Sequence, residues 1–224
     1  MTKLRLHVRE PEGRRKPESL AILLHGYGAN GQDLIGLADL WRTRLRDTLF
    51  VAPDAPEPLP ASAIDGYQWF PLTFRDPDEL STGCRRAGPV VASLVQTLLQ
   101  KYGLGTDRLA LVGFSQGAML ALHVGLSMMP APAAILAYSG VLADPDALVA
   151  SQMSAASGPQ PRIALVHGAA DDVIPVDAID LTREAVAAAG FSLEWHVIAG
   201  LGHGIDQSAV GIGADLLAGA FRGA

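Results

Sequence analysis

The sequence predicts a single α/β domain with a mainly parallel central sheet and helices on both faces of the sheet. Short apolar runs rich in Ile, Leu and Val alternate along the chain with longer helical segments. Most of the apolar runs end in glycine or turn residues, which is typical of strands buried on both faces. Because strand and helix alternate, successive strands are expected to pair in parallel. The 224 residues suit one domain over 1–224 and require no second one.

The strands are predicted from two patterns. Residues 4–8 alternate apolar with polar side chains, as a half-exposed strand at a sheet edge does. Continuous apolar runs predict six further strands, buried on both faces, because only such strands need apolar residues at every position. These runs are 20–24, 49–52, 109–113, 134–138, 162–166 and 192–198.

Helices are predicted between these strands, at 33–46, 89–101, 116–128, 177–189 and 206–221. The second helix is expected to begin near Gly88, because Pro89 would break a helix begun at Cys84 but suits a first turn. The last helix has Asp206 as its expected N-cap. Its core-facing stripe is predicted to consist of Val210, Ala214, Leu217 and Phe221.

Two segments, 53–60 and 71–83, look irregular. The first holds four prolines in eight residues, and the second mixes Pro, Asp, Arg and Gly. Loops of this length are uncommon in compact domains unless they line a site. We therefore expect them to border the functional site.

Composition and charge exclude several classes of function. The net charge of −6 provides no basic field for nucleic acid or anionic lipid. No apolar run approaches the ~18 residues of a membrane span, so we expect no stable membrane insertion, and the first residues lack the apolar stretch of a signal peptide. Cys84 is the only cysteine, which excludes an intrachain disulfide and favours a cytoplasmic location.

The strongest chemical signal is Gly113-Phe114-Ser115-Gln116-Gly117, between a predicted strand and a predicted helix. A serine at such a turn adopts a strained backbone that lifts its hydroxyl clear of the sheet. This context favours a nucleophile over an ordinary glycine-rich turn. Ser115 is therefore the predicted nucleophile of an α/β-hydrolase fold.

A serine nucleophile needs a histidine base and an acid, expected in the order Ser, acid, His. His203 follows the last predicted strand within Gly200-Leu201-Gly202-His203-Gly204, and these glycines leave it room to reach Ser115. His196 lies within a strand, His123 within a helix and His7 near the N-terminus. Those three are more simply structural or surface residues.

The acid is predicted on the loop that follows the strand at 162–166, because carboxyl ends of parallel strands share one edge of the sheet. Asp171 is the preferred residue and Asp172 the alternative. Asp144 or Asp146, after the strand at 134–138, would serve in a variant arrangement. Either aspartate of the preferred pair could instead be a capping or turn residue.

The segment His25-Gly26-Tyr27-Gly28-Ala29-Asn30-Gly31 follows the first buried strand, where this fold places one side of the oxyanion hole. The main-chain N–H groups of Tyr27 and Gln116 are the expected donors. The loop matches neither the P-loop nor the dinucleotide fingerprint. The histidines have no metal-ligand spacing, so neither a metal nor a cofactor is expected.

The chain resembles the phospholipase/carboxylesterase family of small α/β hydrolases, which includes bacterial carboxylesterases and acyl-protein thioesterases. The resemblance spans nearly the whole chain and implies Ser115, Asp171 and His203 as the triad. It also implies esters or thioesters of short to medium acyl chains, sometimes lysophospholipids, as substrates, without cofactor or large lid. The matching residues, in the family's order, are Leu23-Leu24-His25-Gly26, Trp69-Phe70, Gly113-Phe114-Ser115-Gln116-Gly117, His167-Gly168-Ala169-Ala170-Asp171 and Gly202-His203.

The chain departs from the family at two positions. Asp172 follows Asp171 where the family usually has proline, and Pro71 follows Phe70 where aspartate is frequent. The second change is expected to reshape the substrate groove. Seven loop residues are predicted either to form an apolar wall for the acyl chain or to belong to the core. They are Trp69, Phe70, Leu72, Phe74, Val173, Ile174 and Leu201.

The leading hypothesis is a serine carboxylesterase that works through an acyl-enzyme. An acyl-protein thioesterase or lysophospholipase would use the same triad, as would an acyl transferase or a peptidase. A non-catalytic binding protein is disfavoured because it has no need of all three groups. The expected partner is a small acyl ester or thioester, and a homodimer through an apolar rim of the site is left open.

Overall fold

The computed structural model describes residues 4–59, 66–73, 76, 78–152 and 159–222. In chain order the strands are β1 (Leu6–Arg9), β2 (Ser19–Leu24), β3 (Thr48–Pro53), β4 (Glu57–Pro58), β5 (Tyr67–Gln68), β6 (Leu109–Phe114), β7 (Ala134–Tyr138), β8 (Arg162–Gly168) and β9 (Glu194–Ile198). Seven of them form the main sheet in the order β1-β3-β2-β6-β7-β8-β9, and the two short strands β4 and β5 form a separate ribbon. Strand β1 pairs antiparallel with β3, whereas the other neighbours in the main sheet are parallel.

Helices cover both faces of this sheet, as the alternation of strand and helix predicts. Leu34 of the first helix and Leu217 of the last pack on one face. Val91, Leu148 and Val186, from three of the other four helices, belong to the core of the opposite face. The helices are α1 (Gly31–Trp41), α2 (Glu79–Tyr102), α3 (Gln116–Ser127), α4 (Pro145–Gln152), α5 (Ala178–Ala188) and α6 (Gln207–Arg222).

The central strands are buried along their whole length. Every residue of β2, β3 and β7 is buried, which explains their continuous apolar sequences. Strand β9 differs from the prediction of a buried strand. It lies at the edge of the sheet, where Trp195 is 47% and Val197 is 49% exposed. An edge strand has one neighbour instead of two, so apolar sequence alone overestimates its burial.

Helix α2 corrects a second prediction, because it begins at Glu79 and contains Pro89 in its interior. Pro89 is exposed, whereas the small residues on the opposite side of the helix are buried. A Cβ at Gly83 would lie only 2.2 Å from the Phe70 ring, so this stripe packs closely on the core. Packing of the first three turns therefore outweighs the ~3 kcal/mol that a proline costs inside a helix.

Side-chain caps fix the starts of two other helices. The side chain of Asn30 accepts hydrogen bonds from two amides of α1, and the Asp33 carboxylate accepts one from the Asn30 amide. Before α6, the Asp206 carboxylate accepts the Ala209 amide at 2.8 Å, which confirms the predicted cap. Helix α1 ends at Trp41, five residues earlier than predicted. The short α4 was not predicted.

Candidate active site

Ser115 stands at the carboxyl end of the central strand β6, where the chain turns into α3. Its φ is +52° and its ψ −117°. Apart from glycines, only Ser139 shares a positive φ among the described residues. The Ser115 amide donates to the Tyr138 carbonyl at 2.9 Å, and its own carbonyl accepts the amides of Ala118 and Met119. These bonds hold the strained turn that presents the hydroxyl above the sheet.

The loop after β2 approaches this turn closely. A Cβ at Gly117 would lie 1.9 Å from the Leu24 carbonyl oxygen, so only glycine fits where α3 begins. A Cβ at Gly26 would lie 3.3 Å from the Ser115 Cβ. Gly26, the residue before Tyr27, therefore lies beside Ser115.

Asp171 and His203 meet on the loops that follow β8 and β9. Nδ1 of His203 lies 2.8 Å from Oδ2 of Asp171. Oδ1 of Asp171 accepts the amides of Val173 and Ile174 at 3.0 and 2.9 Å. Burial would raise the pKa of Asp171, but these amides together with His203 outweigh it and hold the pKa below its ordinary value. Asp172, the alternative acid, is exposed.

His203 also lies beside the serine turn. Its ring packs against that of Phe114, the residue before Ser115, with centroids 4.9 Å apart. The side chain of His203 is 17% exposed, whereas that of Asp171 is fully buried. The structure thus gathers Ser115, His203 and Asp171 at one edge of the sheet.

The other candidate acids and bases lie elsewhere. Asp144 forms a bidentate pair with Arg85, and Asp146 is exposed in the first turn of α4. His7 on β1 contacts Asp54 at 2.9 Å, and His123 lies within α3. His196 on β9 is 3.8 Å from Glu194.

His25 stabilises the loop that carries Tyr27, a role that sequence reasoning missed. Its Nδ1 donates to the Gly26 carbonyl at 2.7 Å, and its Nε2 accepts the Ala55 amide at 2.9 Å. This assignment requires a neutral ring, and burial lowers the pKa of His25 accordingly. The indole of Trp69 donates to the His25 carbonyl at 2.9 Å.

The side chain of Gln116 has a second role that its position in the motif did not reveal. Its Oε1 accepts the Trp69 amide and its Nε2 donates to the Phe70 carbonyl, both at 2.8 Å. The residue is fully buried. Gln116 therefore fixes the Trp69-Phe70 segment against α3, while its amide lies at the helix start, where N–H groups have no partner within the helix.

The residues predicted to line an acyl wall differ in how far they are buried. Trp69 and Phe70 are fully buried in the core. Leu72, Ile174 and Leu201 are partly buried. Val173 is 51% exposed, and Phe74 lies outside the described residues. The main chain of Trp69 and Phe70 is fixed by hydrogen bonds to Gln116, and their rings pack in the core.

The fold is that of the α/β hydrolases, with a mostly parallel seven-stranded sheet. The sequence model of phospholipases and carboxylesterases matches residues 7–218. This chain therefore belongs to the phospholipase/carboxylesterase family. It is a carboxylic ester hydrolase, an esterase or thioesterase of that family.

Individual relatives agree with this assignment. Esterase YpfH of Escherichia coli (strain K12) is 25% identical over 210 residues, which cover 94% of this chain and 85% of that protein. Acyl-protein thioesterase 1 of Neurospora crassa is 28% identical over 199 residues, covering 81% and 78%. The crystal structure of esterase PE8 has a TM-score of 0.86 and 36% identity, covering 96% of this chain and 98% of that chain.

Acyl-protein thioesterase 2 of Zea mays shares the fold, with a TM-score of 0.75 at 24% identity over 97% of this chain and 99% of that chain. In the part of the chain that the structure describes, no helix is long and apolar enough to cross a membrane. The family to which the chain belongs implies ester substrates.

Proposed function

We propose that this protein is a serine carboxylesterase that hydrolyses short- to medium-chain acyl esters through an acyl-enzyme. The observation that carries the proposal is the strained turn at Ser115 beside a His203–Asp171 hydrogen bond of 2.8 Å. In this proposal Ser115 is the nucleophile, His203 the general base and Asp171 the group that orients His203.

In the first half-reaction, the Ser115 hydroxyl oxygen attacks the ester carbonyl carbon while Nε2 of His203 takes the hydroxyl proton. The tetrahedral oxyanion accepts the amides of Tyr27 and Gln116, each donor contributing ~3 kcal/mol to the transition state. His203 then protonates the leaving alcohol as the C–O bond breaks. Water, deprotonated by His203, then attacks the acyl carbon. The bond from that carbon to the Ser115 oxygen breaks, His203 returns the proton to this oxygen, and the acid is released.

The acyl chain is proposed to lie along the apolar residues on the loops around Ser115. The partly buried Leu72 and Leu201, together with the exposed Val173, offer apolar contact without full enclosure. Trp69 and Phe70 support this surface from the core and are fixed by Gln116. Apolar side chains that remain partly exposed suit contact with short and medium acyl chains.

Labelling with a fluorophosphonate tests the nucleophile. The native protein is expected to be labelled, and Ser115→Ala to lose the label while keeping its thermal stability. Absence of labelling of the folded native protein would sink the proposal. Ser127→Ala, at an exposed end of α3, is the matched control and should label normally.

Replacement of each aspartate in turn by asparagine tests which of the two is the acid of the proposed triad. Asp171→Asn removes the charged acceptor of His203, so kcat should fall by a factor of about 10⁴. Asp172→Asn alters an exposed carboxylate and should change kcat less than about threefold. Loss of turnover in Asp172→Asn alone would assign the acid to the other residue.

A substrate panel separates the ester and thioester alternatives. Several relatives are named acyl-protein thioesterase, which makes thioesters the second candidate substrate class. We expect kcat/KM to be highest for p-nitrophenyl esters of short to medium chains and lower for acyl thioesters and lysophospholipid. A preference for thioesters at equal chain length would favour the alternative.

A further inference from the structure

Asp171 is contacted by two histidines, and only one of them belongs to the proposed triad. Oδ2 of Asp171 lies 2.8 Å from Nδ1 of His203 and 3.3 Å from Nε2 of His167. His167 is in the last part of β8, and its side chain is 1% exposed. A histidine buried this deeply must have partners that repay its desolvation.

The hydrogen bond of His167 identifies which nitrogen carries the proton. Nε2 lies 2.8 Å from the Ile174 carbonyl oxygen, which can only accept. Nε2 is therefore protonated, and the same N–H lies near Oδ2 of Asp171. With the two amides on Oδ1 and His203 on Oδ2, four N–H groups surround this carboxylate.

These contacts span the whole acid loop. His167 lies on the strand before the loop, Asp171 within it, and Ile174 where it leaves toward α5. The 2.8 Å bond from His167 to Ile174 closes this loop across its base. A leucine or phenylalanine would fill the same volume without joining the two ends or donating toward the carboxylate.

We propose that His167 is a positioning residue that fixes the acid loop and holds Oδ2 of Asp171 toward His203. The inference rests on the proposed function, because it assumes that Asp171 orients His203 during catalysis. His167 touches no substrate in this proposal. It acts through the direction and the charge of the Asp171 carboxylate.

Replacement of His167 by residues with and without a donor tests the proposal. His167→Phe removes the N–H and keeps a ring, so kcat should fall about 10- to 100-fold while KM changes less than about twofold. His167→Gln places an amide N–H near the position of Nε2 and should restore most of kcat. His123→Gln, at a partly buried position of α3, is the matched control and should leave kcat unchanged.

Three measurements separate positioning from a general loss of structure. Turnover is normalised to sites titrated by fluorophosphonate, so unfolded protein is not counted. In the native ¹⁵N-labelled protein, the imidazole of His167 should be the Nε2–H tautomer, a measurement that requires no variant. The NMR chemical shift of the proton in the His203–Asp171 hydrogen bond should change in His167→Phe and return to its native value in His167→Gln.

Distinct outcomes overturn this inference and the proposed function. Failure of the native protein to label overturns both. Normal labelling with native kcat in His167→Phe overturns this inference alone, as does an Nδ1–H tautomer in the native protein. A loss of kcat in His167→Phe that His167→Gln fails to restore also contradicts it, because shape rather than the donor would then be what matters.

Discussion

Ser115 adopts its strained backbone because the turn around it is crowded with main chain. The Ser115 carbonyl accepts two amides of α3, and the start of that helix lies against the Leu24 carbonyl. The strain at φ +52° costs about 1–3 kcal/mol, which these contacts must offset. Ser115 is thus held by packing that permits no additional carbon at Gly117.

Gly117→Ala should therefore be severely destabilising. A Cβ there would lie 1.9 Å from a carbonyl oxygen, so β2 and α3 must separate. We expect a loss of more than ~3 kcal/mol in the free energy of unfolding, measured by urea denaturation. Gly211→Ala is the control: no atom lies within 4 Å of its Cβ, and alanine should stabilise α6 by about 0.5–1 kcal/mol. Equal effects at the two positions would contradict this reasoning.

Ser139 offers a second test at a single side chain. It is fully buried with φ +46°, and its Oγ has no hydrogen-bond partner among the described residues. Ser139→Ala should raise the free energy of unfolding by about 1–2 kcal/mol in thermal or urea denaturation, because it removes an unsatisfied hydroxyl. Ser19→Ala should lower it by a similar amount, since Ser19 Oγ lies 2.7 Å from Thr48 Oγ1. A destabilised Ser139→Ala would mean that the hydroxyl is satisfied.

Sequence motifs predict the candidate site residues, but they do not predict the structural roles of side chains whose partners are distant along the chain. Ser115, Asp171 and His203 each follow a predicted strand, so their common edge is implied by a parallel sheet. The partners of Gln116 and His25 are 30 to 47 residues away along the chain. No local pattern encodes such contacts.

Among the elements, α2 shows how tertiary packing changes a helix boundary. Local rules place its start near Pro89, but the helix begins at Glu79 and buries Gly83, Cys84 and Ala87. The bond between Arg85 and Asp144 further links its first half to the start of α4. Short α4 and the edge position of β9 were missed for the same reason, because both depend on neighbours in space.

Pro89→Ala tests the cost of the interior proline. Alanine restores a backbone N–H at an exposed position of α2, so the free energy of unfolding should rise by about 1–2 kcal/mol in urea denaturation. Pro145→Ala, at the first residue of α4, should change stability by less than about 0.5 kcal/mol because proline suits that position. A destabilised Pro89→Ala would show that the proline ring itself packs favourably.

In the whole molecule, the sheet separates two cores, and the candidate site residues follow the carboxyl ends of its parallel strands. Helices α1 and α6 cover one face, and α2 to α5 cover the other. Two partly or fully buried histidines, His25 and His123, are among the groups enclosed in this arrangement. Burial lowers the pKa of both from the ordinary value of 6.5.

These histidines make the stability of the whole fold depend on pH. Below about pH 6.5 the unfolded chain binds protons that the folded chain binds only at lower pH, so the free energy of unfolding falls as the pH falls. A further loss is expected below about pH 4. Asp171 and Asp144 have pKa values below the ordinary value of 3.8. Each therefore contributes stability at pH values above its ordinary pKa, and this contribution is lost as the pH falls and the carboxylate is protonated in the folded chain.

His123→Gln isolates part of the first loss. The ring of His123 is affected by burial, by Asp144 and by Arg85, and burial has the largest effect on its pKa. Urea denaturation between pH 7.5 and 5.5 should show a smaller fall in the free energy of unfolding for the variant than for the native protein. His25 is unchanged in this variant and its pKa is also lowered by burial, so the free energy of unfolding should still fall with pH, but less steeply. A variant with the native slope would show that His123 takes up its proton equally in the folded and unfolded chains, against the effect of its burial beside Gly88.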